Sequence, residues 1–155
     1  MHRVGIMPFD IAKNAVALLF VTSQTRGRWI VPKGLIKDGE SHTEACQREA
    51  FEEAGVEGVV FDDFPMTVTV GKRTDSGLEQ VPVTYYPMLV TKQLDDWPEN
   101  ENRERHWALL QNASKVVHRD DYLVLIRQFE RLIPWLTKLA AHHKPPQQAE
   151  PTPAL

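Results

Sequence analysis

Glu49, Glu52 and Glu53 stand at i, i+3 and i+4. On a helix that spacing places three carboxylates on one face, one turn apart. Like charges so placed repel and weaken a bare helix. Arg48 can reach Glu44 or Glu52, each four residues away, but it points partly aside and cannot neutralise three carboxylates. A hard divalent cation can. Mg²⁺ takes a few carboxylates, keeps several waters and shares its remaining positions with substrate phosphates. Glu40, in the loop ahead, adds a further oxygen donor. A Glu-rich helix is ordinarily a solvated surface face, so the neighbours of these glutamates decide between the two readings.

The helix carrying them is marked at both ends. Ser41 is placed as an N-cap, and Glu44 three residues later completes a capping box. Gly55 supplies the left-handed residue that closes a helix. The predicted helix runs over 42–54. Cys46, Ala50 and Ala54 repeat every four residues and give a small-residue face that can lie close to a sheet. Cys46 on that face is expected to be an inert small hydrophobe. Upstream, residues 3–9, 14–23 and 28–32 read as strands, followed by a loop over 33–40. Downstream, 58–73 and 81–92 read as two β segments joined by the loop TDSGLEQ, and 103–109 as another strand. Helices are predicted over 112–117 and 120–133, the second with Leu123, Ile126, Phe129 and Ile133 close to one face. Pro134 is expected to break that helix and begin a last one over 135–142. Residues 144–155, rich in Pro and Gln, are expected to be a disordered tail behind a domain of 1–143. Mixed strands and helices point to a sheet covered by helices, α/β or α+β.

Composition narrows the classes. The 155 residues, 42% hydrophobic and 25% charged, suit one globular domain. A single cysteine excludes an internal disulfide framework and a cysteine-based zinc site. The longest apolar run, 15–21, is seven residues, against about 20 for a membrane span. The opening MHRVGIMPFD lacks a secretory signal pattern. A cytoplasmic monomer or homodimer without a membrane partner is the expectation. Net charge is −3, so no whole-protein basic field favours nucleic acid as a partner.

The run from Gly34 to Val56 resolves the glutamates. Gly34, five residues, Glu40, seven residues, Arg48-Glu49-Ala50, one residue, Glu52-Glu53, one residue, Gly55-Val56 resembles the Nudix box. That box is the signature of the Nudix hydrolase family. A chance match in a chain of this size is on the order of 10⁻⁷ at average residue usage. Ala50 is smaller than the bulky aliphatic residue often found there. The order of elements is similar too, over roughly residues 3–140. The resemblance implies an α/β fold, an α/β/α sandwich with a mixed central sheet. It implies a divalent metal, Mg²⁺ or sometimes Mn²⁺, and hydrolysis of a diphosphate linkage. It also implies Glu49 and Glu53 as metal ligands, Glu52 as ligand or proton acceptor, Arg48 as the arginine that orients them, and Gly34 as a carbonyl donor to metal. The base stands either at Glu52 or outside the box, at Glu99, Glu101 or Glu104.

Flanking segments bear on the substrate. RWIVPKG, LDDWPENENRERHWALL and the opening RVGIMPF are similar to the diphosphoinositol polyphosphate phosphohydrolase branch and its bacterial relatives. That branch acts on diphosphoinositol and diadenosine polyphosphates. The PKG at 32–34, in place of a run of glycines, is similar to diadenosine tetraphosphate hydrolases. Such substrates call for cations, and Arg28, Lys33, Arg3, Lys72 and Arg73 are the candidates; Lys37 reads as a loop charge. Trp97, Tyr85 and Tyr86 are candidates for stacking on a base, while Trp29 is expected to pack on the sheet. Two other readings stand beside a small phosphorylated substrate of this kind. One is a pyrophosphohydrolase of nucleoside diphosphate-sugars, ADP-ribose or RNA 5′ ends. The other is a non-catalytic nucleotide-binding Nudix module, which would be expected to lack one or more of the box glutamates.

Overall fold

The computed structural model describes residues 2–24 and 27–143, and every side chain among them except that of Lys72. The expected tail, 144–155, lies outside the described residues. In chain order the elements are β1 (Arg3–Ala12), β2 (Ala15–Thr22), β3 (Trp29–Ile30), β4 (Lys33–Leu35), α1 (His42–Glu49), a wide π-type turn (Ala50–Ala54), β5 (Val56–Val60), β6 (Met66–Thr74), β7 (Gly77–Gln93), β8 (Arg105–Leu109), α2 (Ala113–Val116) and α3 (Asp120–His143).

β1 and β2 form a hairpin whose turn residues, Lys13 and Asn14, have φ of 50° and 66°. Positive φ at both positions matches the right-handed twist of the flanking strands. β1 also pairs in parallel with β7, from Arg3 opposite Val83 to Phe9 opposite Leu89. Every other pairing is antiparallel, so the sheet is mixed. β7 is long enough to pair with β6 along its first half and β5 along its second.

Alternation along the strands splits the core into two layers. Val4, Ile6, Leu19 and Val21 face α1 and the wide turn that continues it, where Ala45, Cys46, Ala50 and Ala54 are fully buried. Met7, Phe9, Leu18 and Phe20 face α3 and pack with Leu125, Phe129 and Leu136. The small residues of α1 bring its backbone close to the sheet, as their spacing predicts. One helix on each face gives the α/β/α sandwich, with Trp29 half-buried against its own layer.

Several boundaries differ from expectation. β1 runs on to Ala12, and β6 and β7 pair through Thr74 and Gly77, so the expected TDSGLEQ loop shrinks to a tight turn at 75–76. Residues 33–35 pair with β1 rather than staying in a loop. The segment over 58–73 divides into β5 and β6 at an Asp62-Asp63-Phe64-Pro65 turn, whose residue types favour turns. The Nudix-box helix is α-helical only to Glu49, then widens. Pro134 lies inside a continuous α3. An internal proline costs about 3 kcal/mol, but Phe129 before it and Leu136 and Ala140 after it are all buried in one core, and that burial holds both halves on one axis.

Candidate active site

Ser41 caps α1 as expected: its Oγ accepts from Glu44 N at 3.0 Å, and its own N–H donates to Glu44 Oε1 at 2.9 Å. Glu44 is therefore engaged in the cap and does not pair with Arg48. Instead Arg48 donates to both oxygens of Glu40, at 2.6 and 2.9 Å, to Glu49 Oε1 at 2.6 Å and to the Leu35 carbonyl at 3.0 Å. Glu52 lies 3.6 Å from the same guanidinium. One arginine thus ties the loop, the strand edge and the helix together. The pair holds the Glu40 carboxyl down at about 2, through the Arg48 hydrogen bond first.

Glu49 and Glu53 are 8% and 7% exposed, unusually buried for glutamates. Glu53 has a second arginine beside it, Arg103 at 3.7 Å. Arg103 also donates to Glu99 at 2.9 Å and to the Thr22 carbonyl at 2.8 Å, and Gln24 donates to Glu99 at 2.9 Å. Burial, then the hydrogen bond with Glu49, pushes the Glu53 carboxyl well above its ordinary range; Arg103 opposes this. Two buried carboxylates in contact need a proton or a cation between them.

Arg48, Glu49, Glu52, Glu53, Glu99 and Arg103 line a cleft of about 720 Å³ with Arg3, Lys33, Gly34 and Lys37. Lys33 Nζ lies 3.4 Å from the Tyr122 hydroxyl, and burial, then Arg119, lowers its pKa. Arg3 and Lys33 also border a smaller hollow of about 270 Å³ with Arg73 and Arg119. Beyond it opens a groove of about 1020 Å³, where Arg28, Arg73 and Arg119 meet exposed Leu78 and Val124.

The structure therefore brings Glu49, Glu52, Glu53, Arg48, Gly34, Lys33 and Arg3 into one cleft. Arg28 and Arg73 stand on the adjoining groove rather than beside the glutamates. The side chain of Lys72 lies outside the described residues. Of the three outside glutamates only Glu99 reaches the cleft; Glu101 and Glu104 are exposed and do not line it. Tyr85 is fully buried in the core, and Tyr86 is 7% exposed with its hydroxyl 2.7 Å from His42 Nδ1, so neither is free to stack on a base. Trp97 carries the Arg105 guanidinium 3.9 Å from its ring centre and does not line the cleft. Three cleft or groove residues carry no signal in the sequence reading: Arg103, Arg119 and Gln24. Each acts across a long sequence separation, as in Arg119 donating to the Gly71 carbonyl at 3.0 Å.

Does this site suit a divalent cation? As placed, no three His, Cys, Asp or Glu side chains among the described residues are gathered round one point; Arg48 and Arg103 hold the glutamates by ion pairs instead. The donor chemistry nevertheless suits a hard ion, being all oxygen and anionic. Gly34 supports the fit: a Cβ there would strike the Glu49 carboxylate, so only glycine leaves backbone and carboxylate this close.

Comparison with known proteins agrees with this geometry. A profile of the NUDIX domain matches residues 1–133. Nudix hydrolase 12, mitochondrial, of Arabidopsis thaliana is 32% identical over 125 residues, 77% of this chain and 61% of that protein. Diphosphoinositol polyphosphate phosphohydrolase 3-beta of Bos taurus is 31% identical over 120 residues, 74% of this chain and 68% of that one. The chain thus spans about three fifths of the length of the plant relative. A C. elegans Ap4A hydrolase binary complex superposes with a TM-score of 0.70 at 18% identity, covering 86% of this chain and 98% of that one. The Nudix domain of Shewanella oneidensis NrtR, solved with ADP ribose, gives 0.66 at 22%, covering 85% of this chain and 88% of that one. These two likenesses bear on the fold alone. The matching profile, the relatives and the box set on a capped helix over a carboxylate cleft place this chain in the Nudix hydrolase family.

Proposed function

We propose that this chain is a Mg²⁺-dependent pyrophosphohydrolase of a highly phosphorylated small molecule, a diadenosine polyphosphate or a diphosphoinositol polyphosphate. The observation that carries the reading is the pairing of buried Glu49 and Glu53 with Arg3 and Lys33 in one cleft. Glu49, Glu53 and the Gly34 carbonyl would hold the metal, with Glu52 as a further ligand or the proton acceptor. The ion, when bound, supplies charge neutralisation on a diphosphate and a more acidic water. Arg48 keeps Glu49 and Glu52 turned toward the cleft. Lys33 and Arg3 bind the phosphates of the group being split, Lys33 as a point charge and Arg3 as a fork. Glu99, held by Arg103 and Gln24, is the alternative acceptor of the water proton. Arg28 and Arg73 reach the chain's far end, with Arg119 beside them. Of the two substrates the diadenosine form is favoured, because exposed Leu78 and Val124 beside those arginines offer apolar surface to a base.

The test is a substrate panel with Mg²⁺, products separated by chromatography and Glu53→Gln as the blank. It holds diadenosine tetra-, penta- and hexaphosphate, a diphosphoinositol phosphate, ADP-ribose, a nucleoside diphosphate-sugar and 5′-triphosphate RNA. Turnover led by the long diadenosine or inositol substrates supports the reading. Turnover led by ADP-ribose, sugar nucleotide or RNA discards the substrate class and keeps the chemistry. Tight binding without turnover favours a nucleotide-binding module.

A further inference from the structure

The last carbonyls of a helix have no partners within it. Here the Gly55 N–H donates to the Phe51 carbonyl, and the chain from Leu94 to Arg105 supplies partners for those of Glu52, Glu53, Ala54 and Gly55. Glu99 N–H donates to the Glu52 carbonyl at 3.1 Å, and Leu94 N–H to that of Gly55 at 2.8 Å. The Trp97 indole N–H donates to the Glu53 carbonyl at 3.1 Å. Arg105 Nη1 donates to the Ala54 carbonyl at 3.1 Å and back to that of Leu94 at 2.8 Å. The Arg105 guanidinium then lies over the Trp97 ring at 3.9 Å, a favourable cation–π geometry. Gly55 admits this: a Cβ there would meet Trp97 at 2.7 Å, on a residue with φ of 64°.

The turn so closed is the wide one, Ala50–Ala54, which contains Glu52 and Glu53. Such turns are rare and are found frequently at functional sites. Relaxing it to an ordinary ladder would swing Glu52 and Glu53 about the helix axis relative to Glu49. We propose that Trp97 and Arg105 are positioning residues for the glutamate cluster, acting through the helix's closing carbonyls without touching metal or substrate. Neither side chain lines the cleft. The inference rests on the metal reading given above.

Mn²⁺ serves as the probe, titrated into the full chain without substrate and followed by the paramagnetic resonance of the free ion. Trp97→Phe keeps the ring but removes the donor. It should weaken Mn²⁺ about tenfold, in line with other outer supports of metal sites, while the thermal midpoint falls by only a few degrees. The Mg²⁺ concentration for half-maximal turnover should rise in step, with the substrate KM at saturating Mg²⁺ unchanged. Arg105→Ala should weaken Mn²⁺ further, and Arg105→Lys should recover part of the loss. If Arg105→Ala fails to fold, Trp97→Phe decides alone. Parental Mn²⁺ affinity in Trp97→Phe overturns the proposal, whatever happens to the midpoint. A parent chain that binds no Mn²⁺, and so matches Glu53→Gln, overturns the metal reading and this inference with it.

Discussion

The two ends of the glutamate-bearing helix are held by different means. At its start, Ser41, Glu44, Glu40 and Arg48 lie within eight residues of one another and close the cap and the first ion pairs locally. At its end, the partners come from residues 94–105, some 40 to 50 positions later in the chain. Local caps form with the helix itself, whereas the distant clamp forms only once the sheet is assembled. The clamped end is also the one that carries Glu53, the most strongly perturbed carboxylate described. The difference separates two jobs: the start makes the helix and, through Arg48, holds Glu49 and Glu52, while the end sets the wide turn that carries Glu52 and Glu53.

Substitutions can break this contrast. The largest effect is expected from Glu53→Gln, which should lower kcat about 10²- to 10³-fold, the order of loss seen on removing one strong catalytic electrostatic group. The fold should stay intact, since Gln keeps the size of the side chain and Arg103 retains Glu99 and the Thr22 carbonyl as partners. Circular dichroism and kcat on one preparation check both halves, and surviving turnover sinks the ligand assignment. Next is Arg103→Ala at the clamped end. Its side chain is 8% exposed and touches Glu53, Glu99 and Thr22. Loss of about 3 kcal/mol is expected, as when one partner of a buried ion pair is removed, and denaturant unfolding measures it. Smaller is Ser41→Ala at the local end, about 1 kcal/mol. Mn²⁺ affinity there should stay parental; a loss as large as at Trp97 would erase the contrast between the ends.

The smallest effect concerns acid. The Glu40 carboxyl is held down at about 2 by Arg48. A depressed carboxyl contributes stability above its unfolded pKa and loses it as pH falls through the folded one. Glu40 should therefore add stability above about 4.5 that fades toward about 2. Thermal midpoints measured across that window should fall more steeply for the parent than for Glu40→Gln; parallel curves would remove Glu40 from the acid response.

Much of the site was legible because its start is local. The cap, the glutamate spacing and Gly55 as the residue that closes the helix act on neighbours in the chain, Gly34 is marked by the family resemblance, and periodicity alone places Cys46 against the sheet. The groups that escaped are those whose partners are remote. Spacing offers Arg48 either Glu44 or Glu52; Glu44 is committed to the cap, Glu52 lies 3.6 Å away, and the stronger partner, Glu40, comes from the loop eight residues back. Arg103 and Arg119 have local carboxylate partners, Glu99 and Asp121, but their place at the site comes from remote groups brought in by folding, Glu53 and the Thr22 carbonyl for Arg103 and the Gly71 carbonyl for Arg119. Arg28 and Arg73 are candidates by residue type as Lys33 is, but β4 pairing with β1 sets Lys33 and Arg3 in the glutamate cleft and leaves Arg28 and Arg73 on the adjoining groove. Pro134 misled for the same reason: burial on both sides outweighed a local rule.

The parallel register of β1 and β7 has a kinetic consequence. Arg3 and Val83 lie some 80 residues apart in the chain, so this pairing closes a large loop and forms late. The hairpin of β1 and β2 and the capped helix are contiguous and form early. Refolding should then show helical signal before activity, with catalytic competence gained only as the parallel pair zips and sets the cleft's walls in place.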